Sequence, residues 1–412
     1  MAKPDSAEPF SAKERLAFRG DTPAQAGAAY LAHGSVSLPP RAVFDAQVRW
    51  IQLEQGRGAQ AALRELEGEL TEVRAHVAAL IGAESHQIAL LDSASRAWAY
   101  AFWAALDAGF GRTVVTSAHE WSSNALNLLH ARSRWRIDHL LRIANEGRPP
   151  IDALEDLLPN DAEPELLIVS LPLLPTAYGI PLDLAGVAAW VRARNGLLLV
   201  DASHAVGHLP VDVGTLGCDA LVFPARKWLR GPKGLAVLYL SDRALSLLGA
   251  PSLLDIGGAH WQGPESYVVG EDARRFETWD HSPGLHLALK AACDYATQTG
   301  VARIAATNIT LANRISEAIA GRCGVLPLES YAASAMLNYA VADETHDALA
   351  QHLATATLGA SIVEPSYTPW WFGGHGCKAQ LRLTPHYMTT DQEIEHLIET
   401  LASLPAGTLV SA

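Results

Sequence analysis

The stretch of sequence that decides the fold is Leu197–Gly234, which reads LLLVDASHAVGHLPVDVGTLGCDALVFPARKWLRGPKG. It contains two short apolar runs, at 197–200 and 220–223, and polar residues follow both. Asp201 comes directly after the first run, and Lys227 comes shortly after the second. Short apolar runs bounded by turn residues are typical of buried parallel strands. Functional side chains gather at the carboxyl ends of such strands, so we expect Asp201 and Lys227 to share one site.

An acid and a lysine at neighbouring strand ends suit pyridoxal phosphate (PLP). The PLP aldehyde forms a Schiff base with a lysine amine, and a carboxylate keeps the ring nitrogen protonated so that the ring accepts electrons. Taken alone, the two residues are equally compatible with a helix cap and a surface charge. Lys227 is one of only six lysines, and the Trp-Leu-Arg-Gly-Pro turn after it favours a place at the rim of a sheet. We therefore predict PLP as the cofactor and Lys227 as its attachment point.

Two motifs in this stretch resemble the central motifs of class V aminotransferase-like enzymes. They are Asp201-Ala-Ser-His-Ala-Val-Gly-His and Ala225-Arg-Lys-Trp-Leu-Arg-Gly-Pro. The group includes cysteine desulfurases, isopenicillin N epimerases and the carbon–sulfur lyases of ergothioneine biosynthesis, and the second motif is more similar to the epimerase and lyase branch. The resemblance runs from about Tyr30 to Leu401. It implies PLP fold type I, an α/β fold with a mostly parallel seven-stranded sheet in a large domain, a small α+β C-terminal domain, and a homodimer with shared active sites.

The composition is that of a globular enzyme large enough for two domains, with 412 residues, 49% hydrophobic and 18% charged. The net charge of −13 and the absence of a basic block argue against a nucleic-acid partner. No apolar run reaches membrane-spanning length, and the first twenty residues lack the apolar core of a signal peptide. Four scattered cysteines, at positions 218, 293, 323 and 377, are typical of a reducing compartment. We expect a cytoplasmic protein.

Apolar runs alternate with helix-like stretches along most of the chain. The predicted strands lie at 88–91, 113–116, 166–169, 197–200, 220–223, 235–240, 335–341 and 379–383. The predicted helices lie at 65–81, 96–107, 122–131, 184–194, 284–299, 301–320, 344–358 and 389–404. This alternation is typical of a mostly parallel sheet with helices on both faces. We divide the chain into a leader or dimer arm at 1–27, a large PLP-binding domain at 28–290 and a small C-terminal domain at 291–412.

A turn between a predicted strand and a predicted helix offers a phosphate site. Ser93, Ala94 and Ser95 lie there, with two hydroxyls and the free amides of a first helical turn. An ordinary serine N-cap is the competing interpretation. In the family the matching turn holds the PLP phosphate, and Arg226 beside the lysine is a second candidate contact. Pro224 stands where desulfurases place a small hydroxyl residue, so we expect that contact to be absent or supplied elsewhere.

The resemblance assigns three further cofactor contacts. Trp121 matches the aromatic residue that stacks on the pyridine ring, where desulfurases use histidine; a core tryptophan is the competing interpretation. Thr176 stands where desulfurases carry asparagine, and His204 where many members carry glutamine. Both side chains are candidates for a hydrogen bond to the phenolic oxygen of the cofactor.

We expect no metal site. His119-Glu120 begins like the zinc-protease motif His-Glu-x-x-His, but Ser123 occupies the second histidine position. His204 and His208 are four positions apart, and the intervening Gly207 argues against the helix that would bring them together.

Candidate substrate contacts lie outside the central stretch. Arg382 follows an apolar run, and a guanidinium suits a bidentate grip on a carboxylate; in the family the matching arginine holds the amino-acid α-carboxylate. A surface salt bridge is the alternative. His33 lies in a segment that resembles the amino-terminal strand closing over the substrate. Cys377 is only five residues before Arg382, too close for the loop that carries the nucleophilic cysteine of desulfurases.

These residues predict a PLP-dependent lyase that acts on an α-amino acid. Lys227 would remove the α-proton, Asp201 would stabilise the protonated ring, and a β-substituent would leave, with pyruvate and ammonia as products. A sulfur leaving group, as in an S-substituted cysteine, rests on the resemblance alone. The alternatives are an epimerase with His33 or His204 as second acid, a decarboxylating or deaminating tailoring enzyme, a cysteine desulfurase, and a non-catalytic PLP-binding protein.

Overall fold

The computed structural model describes residues 7–23, 28–134, 136–143, 149–158, 166–327 and 333–410. Its helices are α1 Ala12–Gly20, α2 Arg41–Arg57, α3 Ala59–Ile81, α4 Ala94–Asp107, α5 Ser122–Ser133, α6 Pro150–Leu157, α7 Val187–Arg192, α8 Val213–Leu216, α9 Asp242–Leu247, α10 Pro283–Thr299, α11 Val301–Cys323, α12 His346–Thr355, α13 Pro369–His375 and α14 Asp391–Ala402. Its strands are β1 Ala29–Tyr30, β2 Ile88–Leu91, β3 Thr113–Ser117, β4 His139–Ile143, β5 Ile168–Pro172, β6 Leu197–Asp201, β7 Ala220–Pro224, β8 Ala236–Leu240, β9 Ala259–Gly263, β10 Ser266–Val269, β11 Leu337–Val341, β12 Leu358–Gly359, β13 Ser361–Val363, β14 Gln380–Leu383 and β15 Leu409–Val410.

The large domain is built on a seven-stranded sheet in the order β2-β8-β7-β6-β5-β3-β4. The strands β7, β6, β5, β3 and β4 pair in parallel, and β8 is antiparallel to both of its neighbours. Six strands therefore run in one direction and one runs against them. This confirms the predicted α/β architecture with a mostly parallel seven-stranded sheet.

Alternation along the central strands explains why helices cover both faces. In β6, Leu198 and Val200 join one buried cluster, whereas Leu197 and Leu199 join another. Successive side chains of a strand point to opposite faces, so the two clusters lie on opposite sides of the sheet. All residues of β6 are buried, and its only polar side chain, Asp201, is at its carboxyl end. The site forms at this end.

The small domain contains an antiparallel sheet in the order β13-β14-β11-β15. The amino-terminal segment joins this domain, because β1 pairs in parallel with β12 and Ala32 forms a bridge with Thr384. This pairing carries residues 33–37 to the boundary between the two domains. Among the described residues, no helix is long and apolar enough to cross a membrane.

Several elements differ from the sequence-based prediction. The edge strand β4, helix α2 and the hairpin β9–β10 were not predicted, and the strand predicted at 166–169 is shifted to β5. Residues 7–23 of the expected leader contain α1, whose Arg15 donates to the Thr389 carbonyl at 2.6 Å and pairs with Asp391 at 2.7 Å. Residues 1–6 and 24–27 lie outside the described residues. The predicted domain boundaries stay a prediction; the second falls within α10.

Candidate active site

The carboxyl ends of β2, β3, β5, β6 and β7 meet along one edge of the large sheet and enclose a cavity, called here the cofactor cavity. All the residues predicted to contact the cofactor line it: Ser93, Ala94, Ser95, Trp121, Thr176, Asp201, His204, Arg226 and Lys227. Parallel strands bring their ends to the same edge, which is why residues far apart in sequence converge. Their individual contacts with PLP remain a prediction.

Lys227 lies in the turn after β7. Its carbonyl accepts a hydrogen bond from Arg230 N at 2.8 Å, and its Nζ lies 5.7 Å from the centre of the Trp121 ring. The side chain is buried, and burial lowers the pKa of Lys227 from 10.5 to about 7, against the opposing effect of Asp201. A large share of the amine is therefore uncharged near neutral pH, which is the form that attacks an aldehyde.

His204 contacts Lys227 directly. Its Nε2 lies 3.1 Å from Lys227 Nζ and 2.9 Å from Thr176 Oγ1. Both neighbours have hydrogens to donate, so Nε2 is the acceptor. Nδ1, which is buried with no hydrogen-bond partner in the part of the chain that the structure describes, keeps the ring proton. Burial and the Lys227 charge hold the pKa of His204 well below 6.5, so the ring is neutral. Gly207 permits the close approach of the two segments: its φ is +83°, and a Cβ there would lie 2.4 Å from Leu229 N.

Asp201 is held by two hydrogen bonds at the end of β6. Ser203 N donates to Oδ1 at 2.9 Å, and Asn124 Nδ2 donates to Oδ2 at 3.2 Å. The second hydrogen of Asn124 goes to Glu120 Oε1 at 2.9 Å, so one amide joins two carboxyl groups. Asn124 was not among the predicted site residues, and Glu120 was considered only as part of a zinc-binding motif. Both residues follow shortly after the end of β3. This position, similar to that of Asp201 at the end of β6, was the sequence signal that could have identified them as site residues.

Glu120 is completely buried. Besides Asn124, it accepts hydrogen bonds from Thr116 Oγ1 at 2.8 Å, Ser170 Oγ at 3.2 Å and Trp121 N at 3.0 Å. Burial, with a smaller effect from the Asp201 charge, raises the pKa of Glu120 to about 7. This carboxyl group therefore fixes the backbone of Trp121 and the side chain that orients Asp201.

The end of the cavity at α4 suits a phosphate. Ser93 is the N-cap residue, and its Oγ accepts from Arg96 N at 3.3 Å, so the serine cap considered from the sequence is present. Ser93, Ala94 and Ser95 all line the cofactor cavity, and a helix N-terminus favours an anion. The two interpretations of this turn are compatible.

A second cavity, called here the substrate cavity, adjoins the first and lies between the two domains. It shares Trp121, Thr176, His204, Arg226 and Lys227 with the cofactor cavity. It adds Lys233, from the connection between β7 and β8, and residues of the amino-terminal segment and of the small domain: Gly34, Ser35, Val36, Ser361, Ile362, Val363, Tyr367 and Arg382. Arg382 lies in β14 and donates from Nη2 to Ser35 Oγ at 2.6 Å, and its Nε is buried without a partner. The prediction that Arg382 faces the substrate is consistent with this position.

His33 is not part of either cavity lining. It is buried behind the site, where Nδ1 lies 2.7 Å from Ser37 Oγ and the ring packs edge-on against His386. The expectation of a substrate contact at His33 is therefore not met by the geometry. The chain turns after β1, so Ser35, two residues later, is the member of this segment that meets Arg382.

None of the four cysteines lines either cavity. Cys377 follows α13 and packs with Ala177, Val363, Trp371 and Phe372. Burial raises the pKa of the Cys377 thiol, which lowers the fraction of nucleophilic thiolate. The segment 367–377 contains this short helix.

Comparison with known proteins identifies the family. The family described as Aminotransferase class-V matches residues 29–397. The chain belongs to this family. It is 24% identical over 412 residues to a probable cysteine desulfurase of Methanothermobacter thermautotrophicus, over 94% of this chain and 97% of the relative.

Two solved structures share the fold of this class V protein. The apo structure of a cysteine desulfurase from Thermococcus onnurineus NA1 has a TM-score of 0.84 at 20% identity, over 96% of this chain and 98% of that one. The complex of the cystine C–S lyase C-DES with cysteine persulfide has a TM-score of 0.80 at 19% identity, over 94% and 99%. At these identities the likeness shows the fold, which confirms PLP fold type I.

The class V enzymes use PLP, and this chain is a PLP-dependent class V aminotransferase-like enzyme. The cofactor cavity fits that group on its own evidence. It offers a buried amine of lowered pKa for the aldehyde and a carboxylate for the ring nitrogen. It also offers an aromatic side chain and a helix N-terminus for the phosphate. Bound there, PLP supplies an electron-accepting ring next to the α-carbon of an amino acid.

Proposed function

We propose that this enzyme cleaves the carbon–sulfur bond of an S-substituted cysteine by β-elimination. The substrate and one water give a thiol, pyruvate and ammonium, so the reaction needs no oxidant or reductant. The observation that carries the proposal is the pairing of a buried amine of lowered pKa with a neutral imidazole at 3.1 Å, in a site whose described lining contains no cysteine.

Each side chain has a defined task in this proposal. Arg382 grips the α-carboxylate through the guanidinium nitrogens that Ser35 does not use. Lys227 Nζ removes the α-proton and then delivers it to the departing sulfur. Neutral His204 accepts a hydrogen bond from Nζ and does not compete for that proton. Asp201, fixed by Ser203 and Asn124, keeps a proton on the ring nitrogen of the cofactor.

Cysteine desulfurase is the second candidate, because a relative that spans nearly the whole chain carries that name. A desulfurase of this family needs a thiolate that attacks the substrate sulfur. Cys377 is packed in the apolar cluster beside α13, and its pKa is raised by burial. The geometry therefore favours the lyase. It also disfavours the epimerase, because His33 lies behind the site and the lowered pKa of His204 leaves it without a proton to give from Nε2.

The test is a panel of S-substituted cysteines incubated with the holoenzyme, with pyruvate and free thiol measured together. The lyase predicts equal amounts of both products with the wild type and loss of both in Lys227→Ala. Lys13→Ala, which removes an exposed lysine of α1, is the control and should match the wild type. Alanine as product with a persulfide on the protein would refute the lyase and establish the desulfurase.

We propose in addition that the enzyme is a homodimer. The hairpin β9–β10 exposes Trp261 and Tyr267, and Trp279 nearby is also exposed, with 68%, 54% and 67% of their surfaces accessible. Large apolar side chains grouped on a surface mark interaction sites. Light scattering should give twice the monomer mass of 44.0 kDa, and Trp261→Glu should shift it towards the monomer. A monomeric wild type would refute this proposal.

A further inference from the structure

The substrate cavity has more positive charge than one amino acid needs. Apart from Lys227, its lining includes Arg226, Arg382 and Lys233. Among the residues that the structure describes, no aspartate or glutamate lines this cavity. The cofactor cavity differs, because Asp201 faces its lysine there.

The two guanidinium groups lie close together, and no acidic residue of the described lining offers them a counter-charge. Arg382 Nη2 donates to the side-chain oxygen of Ser35, and Arg226 Nη1 donates to the carbonyl oxygen of the same residue. Burial lowers the pKa of Arg382 to about 10, and the charge of Arg226 contributes to the shift. Two partly desolvated charges of the same sign are unfavourable unless a ligand neutralises them.

The α-carboxylate does not account for all of this positive charge. It forms two hydrogen bonds with one guanidinium, and Arg382, whose Nε has no hydrogen-bond partner among the described residues, is placed for it. The phosphate site at Ser93–Ser95 lines the cofactor cavity and not the substrate cavity. Arg226, predicted from the sequence as a second phosphate contact, lines both cavities, and its guanidinium donates to the Ser35 carbonyl beside Arg382. In this position Arg226 and exposed Lys233 are placed for another anion.

We propose that the substrate carries a second acidic group at the end of its side chain, bound by Arg226 and Lys233. This inference rests on the proposed function, since it names the class of S-substituted cysteine: one whose sulfur substituent ends in a carboxylate or a sulfonate. The apolar side chains of Ile362 and Val363 line the same cavity and suit the short carbon chain between the sulfur and the acid. A neutral or cationic substituent would leave the positive pair without a partner.

The test separates binding from chemistry by using ligands without an α-amino group, which cannot react with the cofactor. The holoenzyme is titrated calorimetrically with 3-(carboxymethylthio)propionate and with its carbamoylmethyl analogue, which has nearly the same shape and lacks the second charge. We expect the dianion to bind at least about tenfold more tightly, equivalent to about 1.4 kcal/mol. Because neither ligand is turned over, the result holds whether or not the enzyme performs β-elimination.

Three variants assign the discrimination to the proposed residues. Lys233→Gln and Arg226→Gln should each bring the affinity ratio of the two ligands towards one, whereas Lys13→Gln, a charge-matched control on exposed α1, should leave the ratio unchanged. Cofactor retention is measured in parallel from the visible absorbance. Equal affinity of the wild type for both ligands would overturn the proposal. So would an Arg226→Gln variant that loses cofactor while keeping the full ratio, since that result assigns Arg226 to the phosphate.

Discussion

Replacing Glu120 by glutamine tests how the charge of the site is arranged. The carboxyl group accepts hydrogen bonds from Asn124 and Trp121 N on one oxygen and from Thr116 and Ser170 on the other. Glutamine has nearly the same shape; its oxygen accepts the first two, and its amide donates to the two hydroxyl groups, which are able to accept. The change therefore removes an ionisable group and keeps every contact.

The magnitude follows from the pKa of Glu120, which burial raises from 4.5 to about 7. The pKa of Glu120 is higher in the folded protein than in the unfolded chain. Its contribution to the free energy of folding is therefore fully present at pH values below the unfolded-state pKa, and it is lost as the pH rises through the folded-state pKa. At about 1.36 kcal/mol per pKa unit, the loss between about pH 5 and about pH 8 is about 2.5 kcal/mol. The glutamine of Glu120→Gln does not ionise, so this variant does not lose stability in this way as the pH rises.

Urea unfolding of the cofactor-free protein, followed by tryptophan fluorescence across this pH range, measures the effect. The free energy of unfolding of Glu120→Gln minus that of the wild type should rise by about 2.5 kcal/mol from about pH 5 to about pH 8. The same difference for Glu67→Gln, at an exposed position of α3, should stay flat. A difference for Glu120→Gln that changes by less than about 0.5 kcal/mol over this range, a small fraction of the shift derived from the pKa, would refute the reasoning.

Three further predictions concern the reacting groups. Asp201→Asn should lower turnover by at least about a hundredfold, or about 2.7 kcal/mol of transition-state stabilisation, while circular dichroism shows an intact fold; near-normal kcat would contradict its role. In the cofactor-free protein, the reaction of Lys227 with an amine-directed acylating reagent should increase as the pH rises through about 7, because burial lowers the pKa of this amine. Mass spectrometry of the labelled peptide measures the reaction. A midpoint at about pH 10 would show that the amine is not perturbed. Cys377→Ser should keep pyruvate formation within a few-fold of the wild type, and loss of activity would show that the Cys377 thiol takes part in the reaction.

The sequence predicted the central part of the fold well, because there the local and the long-range signals agree. Strands β6 and β7 are continuous apolar runs that end at polar residues, so their bounds differ from the predicted ones by a single residue each. Strand β4 was missed because it lies at the sheet edge and only Ile143 in it is buried, so its sequence has no continuous apolar run. The long α2 was missed for a similar reason, since it buries only Val43 and Trp50 fully.

The candidate site divides in the same way. Asp201 and Lys227 were found because single residues of distinctive chemistry follow predicted strands. Glu120 and Asn124 were missed because their importance lies in hydrogen bonds to other side chains, one of them 77 positions away, and no local pattern records such a partner. His33 was predicted from the resemblance of its segment to the strand that closes over the substrate, but the turn after β1 brings Ser35 to Arg382.

The packing of Cys377 shows why desulfurase relatives and a lyase proposal are compatible. Both reactions begin with the same amine, carboxylate and arginine, and they differ in whether a thiol reaches the substrate sulfur. For Cys377 to do so, the segment after α13 would have to leave the cluster that contains Trp371 and Phe372, which are 4% and 5% exposed. That movement would uncover apolar surface of the cluster, at about 25 cal/mol for each Å² exposed, and would therefore lower the population in which the thiol reaches the substrate. The position of Cys377 therefore supports the proposed elimination, which needs no thiol, over the desulfurase reaction.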